Sequence, residues 1–192
     1  MNIYEREEKN YRRLNSIARP NGVVLFGSSF AKDIPVCELK QAFNLECDVY
    51  NRSYTDLSVF DAPELLSECM NDLNPKKILL DLGETDLERG YKTIPEIIAA
   101  YESLIGNIRS YSKRCKIVVI SVCADSMTAP GVRSAAAELN SALEEMANRL
   151  KCSYADISSA ARSELPVVKA FSMLRFFILD RISLSDVMLG SV

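Results

Sequence analysis

The stretch Asn21-Gly22-Val23-Val24-Leu25-Phe26-Gly27-Ser28-Ser29-Phe30 decides how the rest of the chain is read. Val23 to Phe26 form an apolar run too short for a helix, and turn formers bound it on both sides. That is the signature of a short strand buried on both faces. Upstream, Arg19-Pro20-Asn21-Gly22 is a breaker, and before it residues 3–17 are charged and helix-prone. Downstream, the same kind of run recurs at Cys47–Tyr50, Ile78–Leu82, Lys116–Val122 and Ser153–Ile157. Helical patterns separate these runs. One covers residues 34–43, with Pro35 in the first turn. A second runs to about Asn71 from a cap at Asp56 or Ser58, and Asn74-Pro75 turns the chain after it. Residues 94–111 place Ile94, Ile97, Ile98, Tyr101, Leu104, Ile105 and Ile108 at helical spacing, and residues 132–150 form an Ala/Leu/Glu-rich helix. Strands alternating with helices predict a parallel sheet covered on both faces.

Composition narrows the function classes. A chain of 192 residues suits one core. The division expected is an N-terminal helical extension over residues 1–20 and one α/β domain over 21–192. Net charge is −3 without basic blocks, which argues against nucleic acid and anionic membrane surfaces as partners. No window approaches the roughly 18 apolar residues of a membrane span, and the opening MNIYEREEKNYRRLN is too charged for a secretory signal. A cytoplasmic location is expected. The six cysteines (Cys37, Cys47, Cys69, Cys115, Cys123, Cys152) show no C-x-x-C spacing and read as buried free thiols of a reducing compartment. With no histidine in the chain and no cysteine pairs, no metal site or cofactor is expected. Any proton transfer must also proceed without an imidazole.

In open parallel sheets, ligands bind beyond the carboxyl ends of the strands. The loops to search are therefore Gly27-Ser28-Ser29, Asn51-Arg52-Ser53, Gly83-Glu84-Thr85-Asp86, Cys123-Ala124-Asp125 and the segment after the fifth strand. Ser29 stands where a hydroxyl would enter the crevice as a nucleophile. Read alone, Ser28 and Ser29 could equally serve backbone groups of the turn.

Taken in order, these loops resemble the conserved blocks of the SGNH (GDSL-type) hydrolases. Phe26-Gly27-Ser28-Ser29-Phe30 resembles the G-D-S block, with Ser29 at the nucleophile. Asn51-Arg52-Ser53 resembles N-R-G, with Ser53 replacing the glycine whose N–H helps bind the oxyanion. Gly83-Glu84-Thr85-Asp86 resembles G-x-N-D, with Thr85 replacing the oxyanion asparagine. In Leu174–Ser185 the D-x-x-H-L-S block is matched by Asp180, and Ser183 stands where the family has histidine. The resemblance covers roughly residues 22–186. It implies a three-layer α/β/α sandwich with a five-stranded parallel sheet in the flavodoxin-like order 2-1-3-4-5. It also implies hydrolysis of a small carboxylic ester or other acylated substrate without a cofactor.

On this reading Ser29, Asp180 and Ser183 occupy the catalytic positions. Ser53, Thr85 and Gly83 surround the oxyanion and substrate. The family's base is missing, a loss that elsewhere costs on the order of 10⁴ to 10⁶ in turnover. Candidate replacements are Asp180 through a water, or Lys32 near Ser29. The tail after Asp186 is too short for the helix that closes the family's fold, so that helix is expected to be missing. Two other readings stay open: a non-catalytic ligand-binding homologue, and a receiver-like domain phosphorylated at Asp81. The second lacks the acidic residues a receiver needs after its first strand.

Overall fold

The structure, a computed structural model, describes residues 3–124 and 130–179. Its core is one sheet of five parallel strands: β1 Val23–Gly27, β2 Val49–Asn51, β3 Lys77–Asp81, β4 Lys116–Ile120 and β5 Ser153–Ala155. Their order is β2-β1-β3-β4-β5, the flavodoxin-like order expected. Every residue of β1 and β3 is buried, which accounts for their continuous apolar runs.

Alternation along the strands divides the core in two. Val24, Phe26, Ile78, Leu80, Ile117 and Val119 share one cluster with residues of α4 Ala62–Leu73, α6 Ile94–Tyr111 and α7 Pro130–Arg149. On the opposite face, Val23, Leu25, Leu79, Val118 and Ile120 pack with α2 Ser29–Lys32, α3 Val36–Ala42 and α8 Pro166–Ile178. Each fully buried Leu, Ile or Phe here contributes about 1.5–3 kcal/mol relative to exposure. Helix α1, Glu5–Asn15, packs against α4. Among the described residues no helix is long and apolar enough to cross a membrane.

Some boundaries differ from those expected. Edge strand β2 starts at Val49 rather than Cys47. Helix α4 starts after Asp61 with Pro63 in its first turn, so Asp56 and Ser58 belong to the preceding loop. Residues read as a loop after β3 form a short helix, α5 Glu84–Arg89. Pro166–Ile178 also forms a helix, α8, which the sequence reading left unassigned. It seats Ala170, Phe171, Leu174 and Ile178 on the sheet and runs into the first residues of the expected last block. Of the six cysteines only Cys69, Cys115 and Cys123 are buried, and Cys37 is exposed.

Candidate active site

The sequence of β1 dictates what can stand at its end. Gly27 lies opposite Asp81 of β3, and a Cβ built on Gly27 would meet the Asp81 carbonyl oxygen at 2.3 Å and Ala31 Cβ at 3.0 Å. Only glycine allows β1, β3 and the turn into α2 to approach this closely. The Ser28 N–H continues the pairing onto Asp81 O at 2.8 Å. The Asp81 carboxylate accepts the Ala31 backbone N–H and so holds the first turn of α2; burial pushes its pKa up to about 7. Ser28 Oγ and Thr85 Oγ1 are hydrogen-bonded at 2.8 Å, lacing the first loop to the third.

The second loop is a brace. Asn51 donates its amide to the carbonyls of Ala31 (2.7 Å) and Ile34 (3.2 Å), and its Oδ1 accepts the Ser53 N–H at 3.0 Å. Arg52 is buried, with its guanidinium 5.3 Å from the Tyr11 ring centre and 5.4 Å from that of Tyr50. Arg52 Nε donates to Asn15 Oδ1 at 2.7 Å, and desolvation lowers the guanidinium pKa. Past β2 the parallel pairing goes on, with Arg52 N–H donating to Leu25 O and Tyr54 N–H to Gly27 O. This places the second loop beside the first.

The loops after β1, β2 and β3 thus meet at one edge of the sheet, and Ser29, Ser53, Thr85 and Gly83 all sit there. Ser29 is half-buried at the first position of α2. Its Oγ–H donates to Asp56 Oδ1 at 3.0 Å, and its Oγ accepts the Asp56 N–H at 3.0 Å. Ser53 is fully buried, its N–H is held by Asn51, and its hydroxyl has no hydrogen-bond partner among the described residues. The positive φ that a glycine would supply in this loop falls on Asp56 (52°) and not on Ser53. Thr85 is buried with its hydroxyl engaged by Ser28. Gly83, at φ 105°, makes the turn from β3 into α5, and a Cβ there would meet Leu139 of α7 at 2.9 Å. Its place is explained by backbone geometry and packing. Of the expected oxyanion donors, the Ser53 N–H is held by Asn51 Oδ1, while the Thr85 hydroxyl shares a hydrogen bond with Ser28 Oγ in which either oxygen can donate.

Asp180 and Ser183 lie outside the described residues. Lys32, weighed as a base, is committed elsewhere: its Nζ pairs with Glu7 of α1 and donates to Thr55 Oγ1 at 2.6 Å. Asp81 is only 7% exposed and acts through the Ala31 N–H, as a strand-end carboxylate that holds a loop rather than an open phosphoacceptor.

Two carboxylates at this edge, which the sequence offers only as a helix-cap candidate (Asp56) and as part of the third block (Asp86), hold the loop before α4. Asp56, in the loop between β2 and α4, contacts the candidate nucleophile directly. Asp86, on α5, accepts from Ser58 Oγ at 2.5 Å and from the Val59 N–H at 3.0 Å, fastening the other end of that loop. The signal for Asp56 was an Asp next to Thr55 in a polar break, since Asp tolerates the left-handed conformation. Among the described residues no group of three His, Cys, Asp or Glu side chains could hold a metal ion. A groove of about 670 Å³ runs along the β2 edge, walled by Tyr11, Ile17, Lys32, Val36, Tyr50 and Arg52; Ser29 is not part of its wall.

A five-stranded parallel sheet in this order, helices on both faces and a serine at the end of β1 define the class: the chain has the SGNH (GDSL-type) hydrolase fold. Solved structures bear this out. A protein of Streptococcus pneumonia described as a candidate platelet activating factor superposes with a TM-score of 0.76 at 16% identity, covering 92% of each chain. A GDSL-like lipase from Bacteroides thetaiotaomicron gives 0.72 at 12% identity, over 93% of this chain and 98% of that one. An acetylxylan esterase from Geobacillus stearothermophilus gives 0.60 at 15% identity, over 85% and 95%. At such identities the likeness establishes a shared fold. No protein-family model and no curated protein matches the chain.

Proposed function

We propose that this chain is an SGNH-type acyl hydrolase homologue that uses Ser29 as nucleophile on a small carboxylic ester or acylated substrate. One observation carries the reading. A half-buried serine hydroxyl stands at the carboxyl end of β1, where the sheet order reverses, with its Oγ hydrogen-bonded to a carboxylate. The neighbours supply the chemistry by analogy. The Geobacillus stearothermophilus esterase was solved in a serine-to-alanine and an aspartate-to-alanine form, each described as a catalytic mutant. On this chain Asp180 takes the place of the family's aspartate and Ser183 that of its histidine. Without an imidazole, turnover falls well below that of an intact triad. Six cysteines without C-x-x-C spacing suit a reducing compartment, and we place the protein in the cytoplasm.

A second reading has its own support. The Ser53 N–H, one of the two expected oxyanion donors, is engaged by Asn51, and the Thr85 hydroxyl is hydrogen-bonded to Ser28. That arrangement favours a non-catalytic, ligand-binding pseudo-hydrolase. A fluorophosphonate probe separates the two readings. Labelling of the wild type that is lost in Ser29→Ala supports the hydrolase. A folded wild-type protein that takes up no probe supports the pseudo-hydrolase.

A further inference from the structure

Ser29 Oγ is held from two sides by one residue. It donates to the Asp56 carboxylate and accepts the Asp56 backbone N–H, both at 3.0 Å. Asp56 is 27 residues away in sequence, exposed, and held at φ 52°. That conformation is fixed from several directions. The Asp56 carbonyl accepts from Tyr4 Oη at 3.1 Å and from Arg89 Nη2 at 3.0 Å. Next to it, Thr55 Oγ1 accepts from Lys32 Nζ at 2.6 Å, and Lys32 is itself paired with Glu7. Asp86 fixes the following residues through Ser58 and Val59. Contacts from several elements thus hold Asp56 in a left-handed conformation that aspartate tolerates, with its carboxylate and its N–H both on Ser29.

Resting on the proposal that Ser29 is the nucleophile, we infer that Asp56 is a catalytic residue: its carboxylate is the proton acceptor that stands in for the missing histidine. The pair already has the hydrogen-bond reach a base requires. As Ser29 Oγ bonds to the ester carbonyl carbon, its proton passes to Asp56 Oδ1 and the carbonyl π electrons move onto oxygen. The Asp56 N–H stabilises negative charge on Oγ until that bond forms. When the tetrahedral adduct collapses, the carbon–alkoxy bond breaks and the alkoxide takes the proton from Asp56, leaving acyl-Ser29 and an alcohol. Water then attacks the acyl carbon and gives its proton to Asp56. Collapse expels Ser29 Oγ, which recovers that proton, and the carboxylic acid departs. The sum is ester plus water to acid plus alcohol. A carboxylate is a weaker base than an imidazole near neutral pH, so the pair works slowly.

The test compares p-nitrophenyl acetate hydrolysis and fluorophosphonate labelling in wild type, Ser29→Ala, Asp56→Asn and Asp56→Ala, with circular dichroism to check folding. Asparagine tolerates positive φ, so Asp56→Asn keeps the loop conformation. Its kcat/KM should fall by about 100-fold or more, the scale of general-base assistance. Added formate should restore Asp56→Ala by about tenfold or more, an effect that a merely structural role would not produce. If Asp56→Asn keeps the wild-type rate while Ser29→Ala is dead, or formate restores nothing, the role of Asp56 is overturned and the Ser29 reading stands. If Ser29→Ala hydrolyses as well as wild type, or wild type neither hydrolyses nor labels, the Ser29 reading falls and the inference falls with it.

Discussion

Asp81 offers a quantitative test of how the nucleophile turn is held. Its carboxyl is buried beneath the turn, accepts the Ala31 N–H, and ionises at about 7 in the folded chain against an ordinary value of 3.8. Between those values the unfolded chain is ionised while the folded chain keeps its proton. The folded state binds more protons there, so stability falls as pH rises from about 4 to about 7 and levels off above. At 1.36 kcal/mol per tenfold change in proton affinity, the loss is at most roughly 4 kcal/mol. Asp81→Asn removes this titration and keeps an acceptor for the Ala31 N–H. Urea unfolding of both proteins across about pH 4 to pH 8 should show the variant gaining on wild type with rising pH, by up to roughly 4 kcal/mol. The comparison cancels the other carboxylates, which both proteins share. A difference that stays constant to within about 0.5 kcal/mol across that range would refute the buried-carboxyl argument.

Three further outcomes are expected. Gly27→Ala, with its new methyl 2.3 Å from the Asp81 carbonyl, should cost about 3 kcal/mol or more, read as a lowered Tm or loss of soluble protein. Ser53→Ala removes a fully buried hydroxyl that has no partner among the described residues and should stabilise the protein by about 1 kcal/mol in urea unfolding; a comparable loss would mean that the hydroxyl is bonded in solution. Ser183→His restores the imidazole of the last block and should raise ester turnover by at least about tenfold, and no gain would break the alignment of that block.

The strands and their order were legible because burial on both faces leaves uninterrupted apolar runs, as in Val23–Phe26 and Ile78–Leu82. Right-handed crossovers then restrict the topology. Edge strand β2 was less legible: it is three residues long and carries the polar Asn51, so its start fell two residues from the expected place. Helix α5 escaped notice because six residues opened by a left-handed glycine look like a turn. Helix α8 could have been read from Pro166 at its start and the spacing of Ala170, Phe171, Leu174 and Ile178. At the site, the convergence of Ser29, Ser53, Thr85 and Gly83 followed from strand-end logic. Their hydrogen bonds did not, because whether Thr85 meets Ser28 or a substrate is decided by side-chain geometry that spacing does not encode. Asp56 reaches Ser29 through a backbone conformation held by Tyr4 and Arg89; the Asp in a polar break hints at the conformation, but not at the contacts that fix it.

The most direct measurement on the central claim is to trap the acyl-enzyme. The protein is mixed with p-nitrophenyl acetate, quenched in acid, digested, and the acetyl group located by peptide mass spectrometry. The account predicts an acetyl group on Ser29 that is absent from Ser29→Ala. An adduct confined to another residue, or none on a folded protein, would contradict it.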